Sequence, residues 1–252
     1  MARISLGDLN YYRDTLSEIA SQASEYVRDA IDQLGTGRGV TAMREAAIEA
    51  LQMSIGLHGE MAQAWAGQLF DEVCAAEGIG PFDFELADDI IDFAMLEEKV
   101  RYYAKSLVEG NNGKFLDECS QLADFYARRC NYESMVRNCY RNHVRYARVP
   151  TGTDTCDFCM MLASRGAVYY SQESAEEGSH LHCDCVTVCM GDSTTIEGYD
   201  PDALYDLWQS SITETANARA ARKGTNYQIE RMKIMDRYSN ASKRAKARRK
   251  LR

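Results

Sequence analysis

Histidine is scarce in this chain, with four in 252 residues (His58, His143, His180, His182), and proline and tryptophan are scarcer still, at three and two. The shortage of histidine excludes a two-metal hydrolase. His180-Leu-His182-Cys-Asp184 copies the opening of an HxHxDH signature, but Cys185 stands where that signature has histidine, and no later histidine completes the cluster. No stretch approaches the ~20 apolar residues that span a bilayer, and no apolar run follows Met-Ala-Arg-Ile-Ser, so a soluble protein made in a cytoplasm is expected, without membrane contact. The glycines of Gly35-Thr-Gly37-Arg-Gly39 are not followed by Lys-Ser/Thr, nor preceded by an apolar strand. They read as a linker, not a phosphate cradle.

What is present is a globular composition, 45% hydrophobic and 27% charged, long enough for one or two domains. Nine cysteines are an odd number, and without a secretory segment they point to a reduced compartment and a metal site, not a disulfide framework. Charge is divided unevenly: residues 1–213 hold 16 Lys/Arg against 35 Asp/Glu, and residues 214–252 hold 13 against 3. An acidic body repels a phosphate backbone, so any nucleic-acid contact is expected from the tail.

Apolar residues recur at helical spacing through residues 6–34, from Leu9 and Tyr12 to Ile31 and Leu34. The rhythm resumes from Thr41 to Val73, with a break or kink expected at Gly56 and Gly59 and His58 expected as a solvated turn residue between them. A further helix is expected over residues 83–109, with Asp88, Asp89 and Asp92 on an acidic face. After the turn Gly110-Asn-Asn-Gly113, a long helix is expected to run to just before Pro150. Its basic side, Arg128, Arg129, Arg137, Arg141, Arg145 and Arg148, reads as a charge partner for the acidic helix before it. Helix returns at Asp200-Pro201 and again over 227–238. The end, residues 243–252, has seven cations in ten residues and is expected to be a mobile basic arm.

Between these helices lies Cys156-Asp-Phe-Cys159, answered by His180-Leu-His182-Cys183-Asp-Cys185. Two ligating atoms separated by two residues, Cys156/Cys159 and His180/Cys183, let a tight turn aim both at one tetrahedral zinc. Cys119, Cys130 and Cys139 fall at helical intervals and read as core thiols, as does Cys74, whereas the cysteines of this cluster sit among Gly, Thr, Asp and Ser. The expectation is one structural zinc per chain on Cys156, Cys159, Cys183 and His180 or His182, with Cys185 in reserve. Short extended pieces, Gly166–Tyr170 and Val186–Val188, are expected to pair as a small hairpin beside it. Forty residues of this kind bury little surface, so the metal is expected to supply their stability.

The run Arg148-Val-Pro-Thr-Gly-Thr-Asp-Thr-Cys156-Asp-Phe-Cys159-Met-Met-Leu-Ala-Ser-Arg-Gly-Ala-Val-Tyr169, closed by His180-Leu-His-Cys-Asp-Cys185, resembles the MuF-like minor head proteins of tailed phages, most of all the type found in actinobacterial phages and prophages. The resemblance covers roughly residues 140–190. It implies a virion component of low copy number, associated with the portal and capsid proteins and present in the host cytoplasm during assembly, without turnover chemistry. It places the family's CxxC on Cys156 and Cys159 and its closing HxxCxC on His180, Cys183 and Cys185, leaving His182 as an additional candidate.

The expected architecture is mainly α: a helical domain over 1–148, a small zinc-stabilised α+β module with a short hairpin over 149–192, and C-terminal helices with a disordered basic tail over 193–252. The expected function is a phage minor capsid or head-morphogenesis protein, with weak non-specific DNA contact through residues 243–252. The alternative is a zinc-knuckle nucleic-acid adaptor, which the acidic insert Ser171–Glu177 disfavours, since such knuckles place basic and aromatic residues around the metal. A third class, an enzyme with Cys185 or Cys189 as nucleophile, has no orienting third group in the sequence.

Overall fold

Ser5 opens the first long helix with a capping box. Its Oγ accepts from the Asp8 amide at 3.0 Å, and Asp8 Oδ2 accepts from the Ser5 amide at 3.3 Å, which satisfies donors that a helix start leaves unpaired. The structure, a computed structural model, describes residues 3–35, 38–152, 155–169 and 185–235. In chain order it runs β1 (Arg3–Ile4), α1 (Leu6–Leu34), α2 (Gly39–Glu77), α3 (Phe93–Tyr103), α4 (Lys105–Val108), α5 (Asn112–Arg141), β2 (Arg145–Pro150), α6 (Asp157–Ala163), β3 (Cys185–Met190), β4 (Thr195–Ile196) and α7 (Pro201–Lys223). A further helical segment covers 227–235. The mainly helical class expected from the sequence is the class observed, with few short strands.

α1, α2 and α5 pack on one another as the body. At one end, Val27, Ile31, Met43 and Leu51 meet Leu96, Val100 and Phe115 from α3 and the start of α5. At the other end a larger cluster joins Leu9 and Tyr12 of α1, Phe70 and Val73 of α2 and Val136 of α5 to Tyr146 and Val149 of β2, Leu162 of α6, Val186 and Val188 of β3 and Trp208 and Ile212 of α7. The boundary drawn at residue 148 therefore falls inside β2, and the buried cluster is shared across it. The strands do not have to bury surface on one another alone, because α2 and α5 cover them. β2 and β3 pair antiparallel from Arg145↔Met190 to Pro150↔Cys185, and β1 and β4 pair in parallel.

Three stretches of the chain depart from expectation. α2 runs unbroken through Gly56 and Gly59. Each glycine costs such a helix about 1 kcal/mol relative to alanine, but at Gly59 the missing side chain admits α5: a Cβ there would sit 3.0 Å from Cys130 Sγ. His58 is accordingly not a solvated turn residue. It is buried, with Nδ1 2.9 Å from Ser54 O.

The helix expected over 83–109 starts only at Phe93, where Asp92 Oδ1 accepts from the Met95 amide at 3.0 Å. Residues 82–87 are not helical because side chains of the body occupy their backbone groups. Asn138 Oδ1 accepts from Glu85 N and its Nδ2 donates to Glu85 O, both at 2.9 Å, while Gln63 Oε1 accepts from Ala87 N at 2.7 Å and Nε2 donates to Ala87 O at 3.2 Å. Two carboxamides thus stand in for a neighbouring strand, a pairing that removes these groups from any helical ladder. The basic side of α5 does serve internal charge pairing: Arg137 bonds Asp89, Arg141 bonds Glu85, and Arg129 lies 3.3 Å from Glu133.

The third correction concerns the approach to Pro150. α5 ends at Arg141, Asn142 caps it, and His143 takes a left-handed φ of 56° that reverses the chain, a conformation for which Asn and His are enriched among non-glycine residues. Arg145 and Arg148 therefore lie on β2, not on a helical face, and Arg145 bonds Asp192. The partner of Val186–Val188 is Ala147–Val149, not the segment expected from Gly166 on, whose last residue, Tyr170, lies outside the described residues. Of the latter segment, Tyr169 forms a single antiparallel bridge to Tyr146 on the other side of β2. Six residues of β2 offer a continuous ladder, while Gly166 takes a positive φ that interrupts extension.

Candidate metal centre

α6 is positioned by its first residue's neighbour. Cys156 occupies the N-cap with extended φ and ψ, and its Sγ accepts from the Cys159 amide at 3.5 Å. The sulfur takes the place that a Ser or Asp oxygen fills at most helix starts. One turn on, Cys159 points inward and is buried, while Cys156 stays exposed. Cys185 arrives from the far side as the first residue of β3, held there by its register with Pro150. Its Sγ lies 3.3 Å from Cys159 Sγ.

That spacing is well beyond the ~2.05 Å of a disulfide, and about half an ångström short of the ~3.8 Å separating two sulfurs that each sit ~2.3 Å from a tetrahedral zinc. The fold thus brings together, from two elements 26 positions apart, two of the thiols that the sequence nominates, Cys159 on α6 and Cys185 on β3, while Cys156 caps α6 with its sulfur exposed. His180, His182 and Cys183 lie outside the described residues. Among the described residues, no group of three or more His, Cys, Asp or Glu side chains is placed so that it could hold a metal ion.

Arg148 is the residue at this site that sequence reasoning misplaced. It is 2% exposed, its guanidinium lies 4.8 Å from the Tyr132 ring centre, and its Nη2 donates to Cys185 Sγ at 2.6 Å. The guanidinium is thereby held between the Tyr132 ring and the Cys185 sulfur. The signal in the sequence was Asn142-His143, turn-prone residues inside an otherwise helical pattern, followed by the strand-forming run Val144–Val149. Arg13 of α1 ties the end of this strand down by donating to the Thr151 carbonyl.

Cys189 is a different kind of thiol. It is fully buried, its Sγ donates weakly to Phe70 O at 3.8 Å, and its neighbours are Cys139 and Cys74. Contact with Cys139, ahead of the burial itself, holds its ionisation well above the ordinary thiol range. It stays protonated and packed, and a protonated thiol is a poor nucleophile. Burial also pushes Cys119 and Cys130 up to about 12, in keeping with the core role expected of them.

A mainly helical body carrying a two-stranded sheet and a turn of helix that present paired thiols defines the class of this protein. A family model described as VG15 protein matches residues 3–211, which takes in the body, the sheet and the first half of α7. The chain belongs to the VG15 protein family, a family of viral and phage proteins. No curated protein and no solved structure matches it. Among the described residues, no helix is long and apolar enough to cross a membrane.

Proposed function

We propose that this chain is a minor protein of a phage head, associated with the portal vertex through its helical body and carrying one structural zinc ion. Membership of a phage family supports the coarse reading. The finer one is supported by a single observation: the two halves of the run resembling MuF-like minor head proteins, opened by Cys156 and Cys159 and closed by Cys185, meet at a sulfur–sulfur distance of 3.3 Å.

The residues that would hold the ion are Cys156, Cys159 and Cys185 with His180, His182 and Cys183, of which four close a tetrahedral site. A zinc so enclosed supplies a cross-link and has no open position for substrate or water. The role of the chain's own residues is positional: α6 and β3 set the thiols, Arg148 sets Cys185, and the shared core holds both elements. No turnover is proposed. Quantitative mass spectrometry of purified virions should find the chain at far lower abundance than the major shell protein and co-purifying with the portal. Its absence from particles, together with the absence of any portal or shell association in infected cells, would overturn the reading.

A further inference from the structure

The outer face of α2 carries Met53, Leu57 and Met61, spaced four residues apart and therefore stacked along one line of the helix. They are 57%, 57% and 40% exposed. α1 extends the line at both ends: the Tyr26 hydroxyl lies 3.7 Å from Met53 Sδ, and Tyr11, 67% exposed, packs edge-on against Trp65 at 5.9 Å between ring centres. From Met53 to Trp65 the ridge spans about 18 Å at 1.5 Å per residue, three turns of helix. Single exposed apolar residues are ordinary on a protein surface, but a continuous ridge of methionine, leucine and aromatic side chains is the composition of an interaction surface.

The surroundings of the ridge specify its occupant. Between Asp14 and Val27, and between Glu45 and Glu98, the chain has no lysine or arginine. The exposed charged residues on these stretches of α1 and α2 are all carboxylates, Glu18 and Glu25 on one helix and Glu49, Glu60, Asp71 and Glu72 on the other. A second copy docking by the same face would set carboxylate against carboxylate, which opposes association. We propose that the α1/α2 ridge is the docking site for an amphipathic helix of another protein, about three turns long, whose apolar stripe is bordered by lysine or arginine. The surface is argued from the body helices alone and stands whether or not the chain is found in virions.

The probe is a labelled 18-residue helical peptide with leucine at every third and fourth position and lysine elsewhere, titrated into the full-length protein. The same peptide with glutamate in place of lysine is the comparison. Saturable one-to-one binding of the lysine peptide is expected, weakening as salt rises, with little binding of the glutamate peptide. Leu57→Gln keeps charge and helix propensity and should weaken binding on the order of tenfold, from the apolar surface of Leu57 that remains to be buried. Glu60→Lys should weaken it several-fold, and Val108→Gln, at a residue 74% exposed on α4, should leave it unchanged. Leu57 and Glu60 are exposed, so unchanged far-ultraviolet dichroism should accompany both variants. Failure of the lysine peptide to bind, equal binding of the two peptides, or binding indifferent to Leu57→Gln would overturn the proposal. Concentration-dependent self-association of the wild type that Leu57→Gln abolishes would assign the ridge to a second copy instead.

Discussion

Truncating Leu162 to alanine tests whether the thiol-bearing segment and the helical body fold as one unit. Leu162 lies on α6, three residues beyond Cys159, and is fully buried in the cluster that also contains Phe70 of α2, Val136 of α5 and Val188 of β3. The substitution removes three carbons, roughly 2.4 kcal/mol of transfer free energy at ~0.8 kcal/mol per methylene. The residual cavity adds to this, so the total should fall at about 2–5 kcal/mol. Set against a typical stability of about 5–15 kcal/mol, such a loss is large, and it should lower the melting temperature by roughly 10 °C. Because the cavity opens in a core shared with α2 and α5, the helical dichroism of the whole body should report it in urea as a single shifted transition. Val108→Ala, at an exposed site, should stay within about 0.5 kcal/mol of wild type. A helical transition whose midpoint is unmoved by Leu162→Ala, with only tyrosine signals from the sheet affected, would refute the shared core and favour a separately folding module.

Elemental analysis of protein purified without chelator should find about one zinc per chain, and Cys159→Ser should remove most of it; an absence of zinc from the wild type would eliminate the metal site. Arg148→Met should weaken zinc retention against a competing chelator by roughly 10- to 100-fold while Arg148→Lys restores part of it, as expected for a residue that orients a ligand; equal retention in both would remove Arg148 from that role. Stability should decline in alkali, because Cys119 and Cys130 are held by burial up to about 12, so the unfolded chain loses these protons first. The stability is fully present below an unfolded thiol value of about 8.5 and is lost as pH rises towards 12, at up to ~1.4 kcal/mol per pH unit for each thiol. A stability flat between pH 9 and 11, measured by urea denaturation with reductant present, would contradict their burial. Deleting residues 239–252 should abolish retention on DNA at low salt, and unchanged retention would show that the arm is no DNA contact.

The sequence by itself determined the long helices. Apolar spacing and capping residues are local signals, and Ser5 with Asp8, Asp200 with Pro201 and the stop at Gly78 act where they stand in the chain. Cys156 and Cys159, two residues apart, were legible as a pair for the same reason, since a tight turn alone sets their geometry. The arrival of Cys185 beside Cys159 was nominated by residue type, but the β2 register that delivers it was not.

Tertiary structure decided whatever depended on partners distant in sequence. Residues 82–92 have helical periodicity, yet Gln63 and Asn138 engage their backbone and the helix begins only at Phe93. Gly59 resembles a break until Cys130 is seen to need the space. Arg148 reads as one more exposed cation in a basic helix, but the reversal at His143 puts it on a buried strand, against Tyr132 and the Cys185 sulfur. In each case a locally reasonable conformation lost to burial or hydrogen bonding supplied by an element dozens of residues away, and a pattern read over one or two helical turns contains no information about that element.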